Sequence, residues 1–539
     1  MTSARSTSAK VKSASARPQA TNPHDRPLRV LWLPFAFAAA LLALSFLPRI
    51  DDNEILCWSF RVAALTLLGW FAILFWRVQA SGTTPRGRSI EIVVRRQHYI
   101  QALVQGSVYV YWGYYWRPVY DHAPLLLGQL LFAYAFDMLL AWSRREKYTF
   151  GFGAFPIVFS TNLFLWFKDD WFYLQFLLIA VGFLGKEFVR WQRDGKSTHI
   201  FNPSAFTLAL FSLVLIATGT TAYTWGPEIA STLTLAPHIY LYLFAVGLIV
   251  MYFFSITLIA GTAAAVLFGS SALYFAATGT PYFLDSEIPA AVFLGLHLLV
   301  TDPSTSPRTP LGKMIFGALY GLGVFGLYAL LTSLGAPTFY DKLLCVPLLN
   351  LSVKWIDRMA QNLEHGAFAD RVRAAWPTVG ANVGHMAVWV AFFLTMTLMG
   401  KADGRHVGDS LPFWQQACGD GKRNACTRLL QLETTYCLDK SAWACNELGG
   451  HYAEGRIVTA DSEQSLTLFA RACELRFQPA CGNLLHRSPI QHAPPHVLDL
   501  RLLLREGGRN LMEMPEPDLY VRACAHGWTF ACRRLASTR

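Results

Sequence analysis

Charge is scarce in this chain: Asp, Glu, Lys and Arg make up 15% of its 539 residues, against 53% hydrophobic. So little charge over such a length argues against a soluble enzyme and for a polytopic membrane protein. The chain also lacks a glycine-rich phosphate loop, a zinc-peptidase helix and a plausible nucleophile triad, which sets aside the nucleotide-hydrolysing, metallopeptidase and acyl-transfer classes. It has no C-x2-C knuckle, so zinc is a poor explanation for its cysteines. Its net charge of +11 is not gathered into one basic surface but spread over short loops between apolar runs, which excludes nucleic acid as the partner. The first apolar run, Val30 to Leu47, has no small-residue cleavage site and meets "PRIDDNE", so it reads as a retained span and not a signal peptide.

What the chain does have is apolar length. About thirteen candidate spans follow from the requirement for roughly 20 apolar residues. They fall near 30–48, 57–77, 99–118, 123–142, 149–167, 171–187, 200–219, 237–254, 256–279, 287–301, 312–335, 338–356 and 383–400. The run at 287–301 is short and suggests a half-helix or a tilted segment. Seventeen tryptophans and twenty-one tyrosines suit membrane interfaces. Residues 1–28, Ser/Ala-rich and basic, read as a disordered tail.

The loops alternate in charge. "PRGRSIEIVVRR", "SRREK", "KEFVRWQRDGK", "SPRTPLGK" and the stretch from Lys354 to Arg373 are basic, whereas "RIDDNE", "VYDHAP", "KDDW", "TWGPEIAS" and "YFLDSE" are acidic or neutral. The positive-inside rule places the first set and the N-terminus in the cytoplasm. Residues 29–400 are then the membrane domain of a bacterial inner-membrane protein, and residues 401–539 lie in the periplasm or outside the cell.

Eight of the ten cysteines sit in that last segment, in four pairs of identical spacing: Cys418 with Cys426, Cys437 with Cys445, Cys473 with Cys481 and Cys524 with Cys532. Eight residues of continuous helix rise about 12 Å, whereas a disulfide needs Cα atoms roughly 4.4–6.8 Å apart. Each pair can therefore bond only across a reversal, and "GDG", "LDK", "RFQP" and "AHG" supply turn chemistry. Each pair is expected to staple two antiparallel helices in an oxidising compartment. Cys57 and Cys345 stand outside the pattern and read as apolar fillers. The stretch "SAWACNELGGHYAEGRIVTADSEQSLTLFARACELRFQPACGNLL" resembles the cysteine-rich Sel1-like repeats, in its "LG-x-x-Y-x-x-G" start and "A-C-x7-A-C" close. Cys437 and Cys473 are 36 residues apart, about one repeat, but the other intervals, 19 and 51, depart from it, and "HRSPIQHAPPH" reads as an insertion. The resemblance implies an αα-solenoid that binds a protein partner.

Two stretches of the membrane domain differ from generic apolar sequence: "THIFNPSAF" (198–206) and "LHLLVTDPSTSPRTPLGKMIFGALYG" (296–321). In both, a proline follows a short polar residue able to cap a helix, so Asn202, Pro203, Ser204, Thr301, Asp302, Ser304 and Thr305 form a candidate anion or phosphate site at helix starts. These motifs, with "GKMIFG" and "YG", resemble the flavin-carrying membrane proteins Rnf-D, of the Rnf complex, and NqrB, of the sodium-pumping quinone reductase, over about residues 90–360. "HIFNPSAF" and "YVYWGYYW" bring the chain closer still to the Rnf-D-like proteins of enediyne gene clusters. The resemblance implies two inverted halves, other membrane proteins as partners in a complex, and flavin. The family's covalent FMN sits on a threonine in an "S-G-A-T"-like motif, which the loop 219–238 lacks despite Thr220, Thr221, Thr232 and Thr234. Covalent FMN is therefore not expected, and a noncovalent flavin is the remaining cofactor reading.

Asp137, inside "LLFAYAFDMLLAW", is an ion-coupling candidate, because a carboxylate there needs a partner or a proton. Gln101, Gln105, Asn162 and His297 are further buried-polar candidates, and His297 and His385 are the histidines a haem would use. The expected architecture is all-α: a polytopic bundle plus an αα-repeat domain. The expected function is an anchor, scaffold or transporter-like component without catalysis of its own, the alternative being an ion-coupled electron-transfer component with noncovalent flavin.

Overall fold

The structure, a computed structural model, describes residues 27–80, 89–193, 195–284, 286–300, 302–364, 378–402, 406–485, 489–504, 511 and 514–538. Most of the basic tail and Thr301 lie outside them. The described residues are predominantly helical. The bundle comprises α1 (Pro27–Leu44), α2 (Glu54–Ala80), α3 (Arg96–Tyr115), α4 (Ala123–Arg144), α5 (Ala154–Asn162), α6 (Tyr173–Phe188) and α7 (Pro203–Thr218). It continues with α8 (Ile239–Phe254), α9 (Thr257–Thr278), α10 (Ala290–Leu298), α11 (Pro310–Ser333), α12 (Asp341–Glu364) and α13 (Thr378–Leu398). Two small ribbons interrupt it: β1 (Ser89–Ile92) runs parallel to β2 (Lys147–Phe150), and β3 (Arg190–Arg193) antiparallel to β4 (Lys196–His199).

The span count needs correction. Among the described residues, five helices are long and apolar enough to cross a membrane, or six if the pair Gly226–Leu235 and Ile239–Phe254, bent by 101°, counts as one. The five lie in Glu54–Ala80, Pro118–Arg144, Thr257–Thr278, Pro310–Ser333 and Ala381–Leu398. The expectation of about thirteen took every apolar run as a crossing. An apolar run reports burial, and burial by neighbouring helices satisfies it as well as lipid does. Thus α5 and α10 have nine residues each, about 14 Å of helix, and α10 is buried along its whole length. Helix α3 is long enough but carries Arg96, Gln97, His98, Gln101 and Gln105, and α12 carries charge at Lys354, Asp357 and Arg358.

Packing follows a recurring order. The short α5 lies against α3 and α4, with α6 against α7 next; the short α10 lies against α8 and α9, with α11 against α12 next. Helix α3 touches α8, and α7 touches α12.

The basic loops touch one another. Arg144 and Arg145 reach Glu187, Arg193 reaches Asp357, and Lys354 lies over the Trp191 ring. So do the acidic ones: Arg49 pairs with Asp169 at 2.9 Å, Asn53 reaches Asp170, Lys168 reaches Glu228, and Phe167 bridges Thr224. Cys57 and Cys345 are free and buried.

The C-terminal domain has its own core. It comprises α14 (Leu411–Gly419), α15 (Ala425–Leu438), α16 (Ala442–Glu454), α17 (Ser462–Glu474), α18 (Gln478–Leu485), α19 (Val497–Leu503), α20 (Glu516–Ala525) and α21 (Thr529–Ser537). All four expected disulfides are present: Cys418 bonds Cys426, Cys437 bonds Cys445, Cys473 bonds Cys481 and Cys524 bonds Cys532, with Cα separations of 4.6 to 4.8 Å. Each joins the last turn of one helix to the first turn of the next. The Sγ atoms of Cys426, Cys445 and Cys532 also lie 3.6, 3.5 and 3.6 Å from the carbonyl oxygens of Cys418, Cys437 and Cys524. These are close packing contacts and not hydrogen bonds, because a disulfide sulfur carries no proton.

The same reversal recurs in all four pairs: the third residue after the first cysteine (Gly421, Lys440, Arg476, Gly527) is left-handed. The next amide (Lys422, Ser441, Phe477, Trp528) donates back to the carbonyl just before that cysteine (Ala417, Tyr436, Ala472, Ala523). This is the Schellman stop, which satisfies carbonyls a helix end would leave bare. The residue before each second cysteine is a buried alanine (Ala425, Ala444, Ala480, Ala531), small enough for the paired helices to approach.

Candidate functional site

The two proline motifs, about a hundred residues apart in sequence, meet at the basic end of the bundle. Each uses the same local device. Asn202 precedes Pro203, and its Oδ1 accepts from the amides of Ser204 (3.0 Å) and Ala205 (3.3 Å). Asp302 precedes Pro303, and its Oδ1 accepts from the amide (2.9 Å) and hydroxyl (2.7 Å) of Ser304. A proline after the capping residue sacrifices no hydrogen bond, because that position has no helical partner.

A residue from a third segment joins them. Asn350, buried in α12, accepts the Asn202 amide at 3.1 Å and donates to the Thr305 carbonyl at 3.0 Å. Asn202 Nδ2 donates to the Leu299 carbonyl at 3.0 Å, just beyond α10. The β3–β4 ribbon closes the assembly. Arg193 donates to the carbonyls of Ser304 (3.3 Å) and Ser306 (2.9 Å) and pairs with Asp357 at 2.6 Å. His199 Nε2 lies 2.8 Å from Ser304 Oγ and 3.5 Å from Asp302 Oδ2. This is no catalytic triad, since serine and aspartate share one imidazole nitrogen instead of flanking the ring.

Of the expected site residues, Asn202, Pro203, Ser204, Asp302, Ser304 and Thr305 are thus gathered in one place. Their polar groups are engaged within the fold: the Ser204 hydroxyl donates to the Ile157 carbonyl at 3.3 Å, and Thr305 is buried. Because Asn202 already holds the first-turn amides of α7, the arrangement does not fit a flavin phosphate at that helix start. Asn350, Arg193, His199 and Asp357 were not singled out by sequence. The available signals were a lone asparagine in the apolar run "CVPLLNLSV" and the place of His199 inside "THIFNPSAF".

Asp137 lies elsewhere, half-buried on α4, and accepts from the Tyr148 hydroxyl of β2 at 3.1 Å. Gln105 and Asn162 belong to buried polar contacts around α5. Gln105 donates to the Ser160 hydroxyl, while Asn162, Gln129, Gln175 and His122 form one hydrogen-bonded group with His122 stacked on Trp166. His297 bonds the Phe293 carbonyl of its own helix at 2.8 Å; Gln101 and His385 are half-buried. In the 219–238 loop, Thr232 and Thr234 bond carbonyls one turn back, and Thr220 meets Thr218.

A second polar focus lies where the C-terminal domain sits on the bundle. Glu287, in the loop before α10, receives Lys401 Nζ at 2.7 Å and the Ser271 hydroxyl at 2.8 Å, with His406 at 3.8 Å. Burial raises this carboxyl's pKa, but the Lys401 and Ser271 bonds outweigh it and leave it below the ordinary range. Arg428 of α15 donates to the Tyr282 carbonyl at 3.3 Å and lies 5.0 Å over the Tyr328 ring, and Asn424 reaches the Tyr274 hydroxyl.

No protein-family model matches the chain, and neither a curated protein nor a solved structure does.

Proposed function

We propose that this protein is a component of a bacterial inner-membrane complex: a helical anchor that carries an outward Sel1-like repeat domain as a platform for a periplasmic or extracellular partner. In this reading the basic loops face the cytoplasm, the disulfides form in the oxidising compartment, and the bundle is built as two inverted halves of five helices, α3–α7 and α8–α12. The matched positions of the short α5 and α10 support the halves, and the contacts of basic loops with basic loops support the orientation. The observation that carries the platform reading is the docking through Glu287 and Arg428. A domain tied down by a half-buried ion pair and a cation over an aromatic ring is held in place, not swung on a tether. The committed polar groups around Asn202 favour a structural role for the two motifs over flavin chemistry.

Photo-crosslinking from exposed positions of the C-terminal domain, in membranes of a host that makes the complex, tests this. A discrete adduct is expected, and its loss on truncation after Gly400. A smear without discrete adducts, together with flavin absorbance in the gently purified protein, would overturn the reading in favour of electron transfer.

A further inference from the structure

Between α18 and α19 the chain runs without helix through residues 489–496, across the faces of α16 and α18. Two fully buried asparagines hold its main chain. Asn483 Oδ1 accepts from the Gln491 amide at 2.7 Å, and Asn483 Nδ2 donates to the Gln491 carbonyl at 3.0 Å. Asn446 Nδ2 donates to the same carbonyl at 3.1 Å, while its Oδ1 accepts from Asn483 at 2.9 Å. The Trp443 indole donates to the Ala493 carbonyl at 2.5 Å. Side-chain amides that pair with both main-chain groups of one residue read an extended backbone as a neighbouring strand would, without regard to sequence.

Two glycines form the floor. A Cβ on Gly450 would lie 3.0 Å from the His492 ring, and one on Gly482 would lie 3.1 Å from the Gln491 side chain. Specificity comes from charge: His492 meets Glu447 at 2.7 Å and Glu454 at 3.3 Å. The segment's anchoring is polar, and its apolar contacts are few. Pro489, Gln491, His492, Pro494 and His496 are exposed, Ile490 and Ala493 are half-buried, and Pro495 alone of the segment is buried. A strap with so few apolar contacts opens easily. The groove beneath is different, because Asn446 and Asn483 would lose their partners when the strap leaves, a penalty that a replacement peptide removes.

We infer that this groove is a recognition site for an extended polypeptide carrying a cationic side chain, and that residues 490–495 occupy it as an internal ligand which the partner displaces. The inference rests on the platform reading and names the surface and chemistry it uses. In the full chain in detergent, Gln491→Pro with His492→Ala removes the strap's amide and its cation. A labelled synthetic peptide of residues 489–496 should bind this variant at least tenfold more tightly than it binds wild type. Binding should be lost when the peptide's histidine is replaced by glutamate, or when Asn483→Ala is added. Equal binding to both proteins, or to neither, overturns the inference.

Wild-type hydrogen exchange gives the second measurement should the variant lose its helices. The Gln491 amide should exchange at least a hundredfold faster than amides in α16 and α17, and exchange at their rate overturns the inference. If the peptide assay fails while truncation still abolishes the crosslink, the groove assignment falls and the platform reading stands.

Discussion

Asn350 accepts the backbone amide of Asn202 at 3.1 Å, tying the middle of α12 to the start of α7. The same side chain donates to Thr305, so one buried amide spans both proline motifs. Asn350→Ala strands an amide and a carbonyl in the interior and should lower stability by roughly 1–3 kcal/mol. Asn350→Asp keeps the acceptor but sets a buried carboxyl against the Thr305 carbonyl, and should cost at least as much as alanine. Thermal unfolding of the full chain in one detergent checks the order, and an alanine variant as stable as wild type would refute the bridging role.

Arg193 and Asp357 form the other clasp at that end, with side chains 5% and 14% exposed. Removing either partner alone leaves a buried charge and should cost roughly 3–5 kcal/mol. The double variant Arg193→Met, Asp357→Leu should recover a large part of that loss. Additive losses in the double-mutant cycle would show that the two residues act separately.

Lys440 and Arg476 occupy left-handed positions that Gly421 and Gly527 fill in the sister reversals. A side chain there costs roughly 1–2 kcal/mol. Lys440→Gly and Arg476→Gly should each stabilise the C-terminal domain, less the entropy glycine adds to the unfolded chain, for a net gain of about 0.5–1 kcal/mol. Gly421→Ala and Gly527→Ala should destabilise it. Hydrogen-exchange protection of the flanking helices reads both signs.

His492 is held protonated by its bond to Glu447, which outweighs burial, and Glu454 adds to the effect, lifting its pKa from 6.5 to about 9. A histidine whose folded pKa is raised stabilises the fold most below its unfolded value, and the contribution fades as pH rises through the folded one. Protection of the Gln491 amide should therefore weaken between pH 6.5 and about 9, and His492→Asn should flatten that slope. A slope unchanged by the substitution would assign it to another group.

The Cys473–Cys481 bond staples α17 to α18. Replacing both cysteines by serine should destabilise the domain by roughly 2–4 kcal/mol. Limited proteolysis of the full chain measures this, and unchanged resistance would mean that the Schellman reversal and the buried alanines suffice.

The sequence alone determined whatever depends on local spacing. Four cysteine pairs at one interval, closing at Cys426, Cys445, Cys481 and Cys532, required four reversals, because a helix carries its ends apart. Each proline after Asn202 or Asp302 marked a capped turn, and the loops alternated in charge. Helical content was legible for the same reason. Tertiary structure decided what lies between distant segments. Whether an apolar run such as 287–301 crosses a membrane or hides as the nine-residue α10 depends on what surrounds it, which periodicity does not report. Asn350, Arg193 and His199 became site residues only when α12 and the β3–β4 ribbon closed over the motifs. Likewise "HRSPIQHAPPH" read as an insertion, and the fold laid its residues 490–495 along a groove whose two asparagines stand 37 residues apart in the chain. Hydrogen-bond partners are a property of proximity, and proximity between remote segments is written in packing and not in spacing.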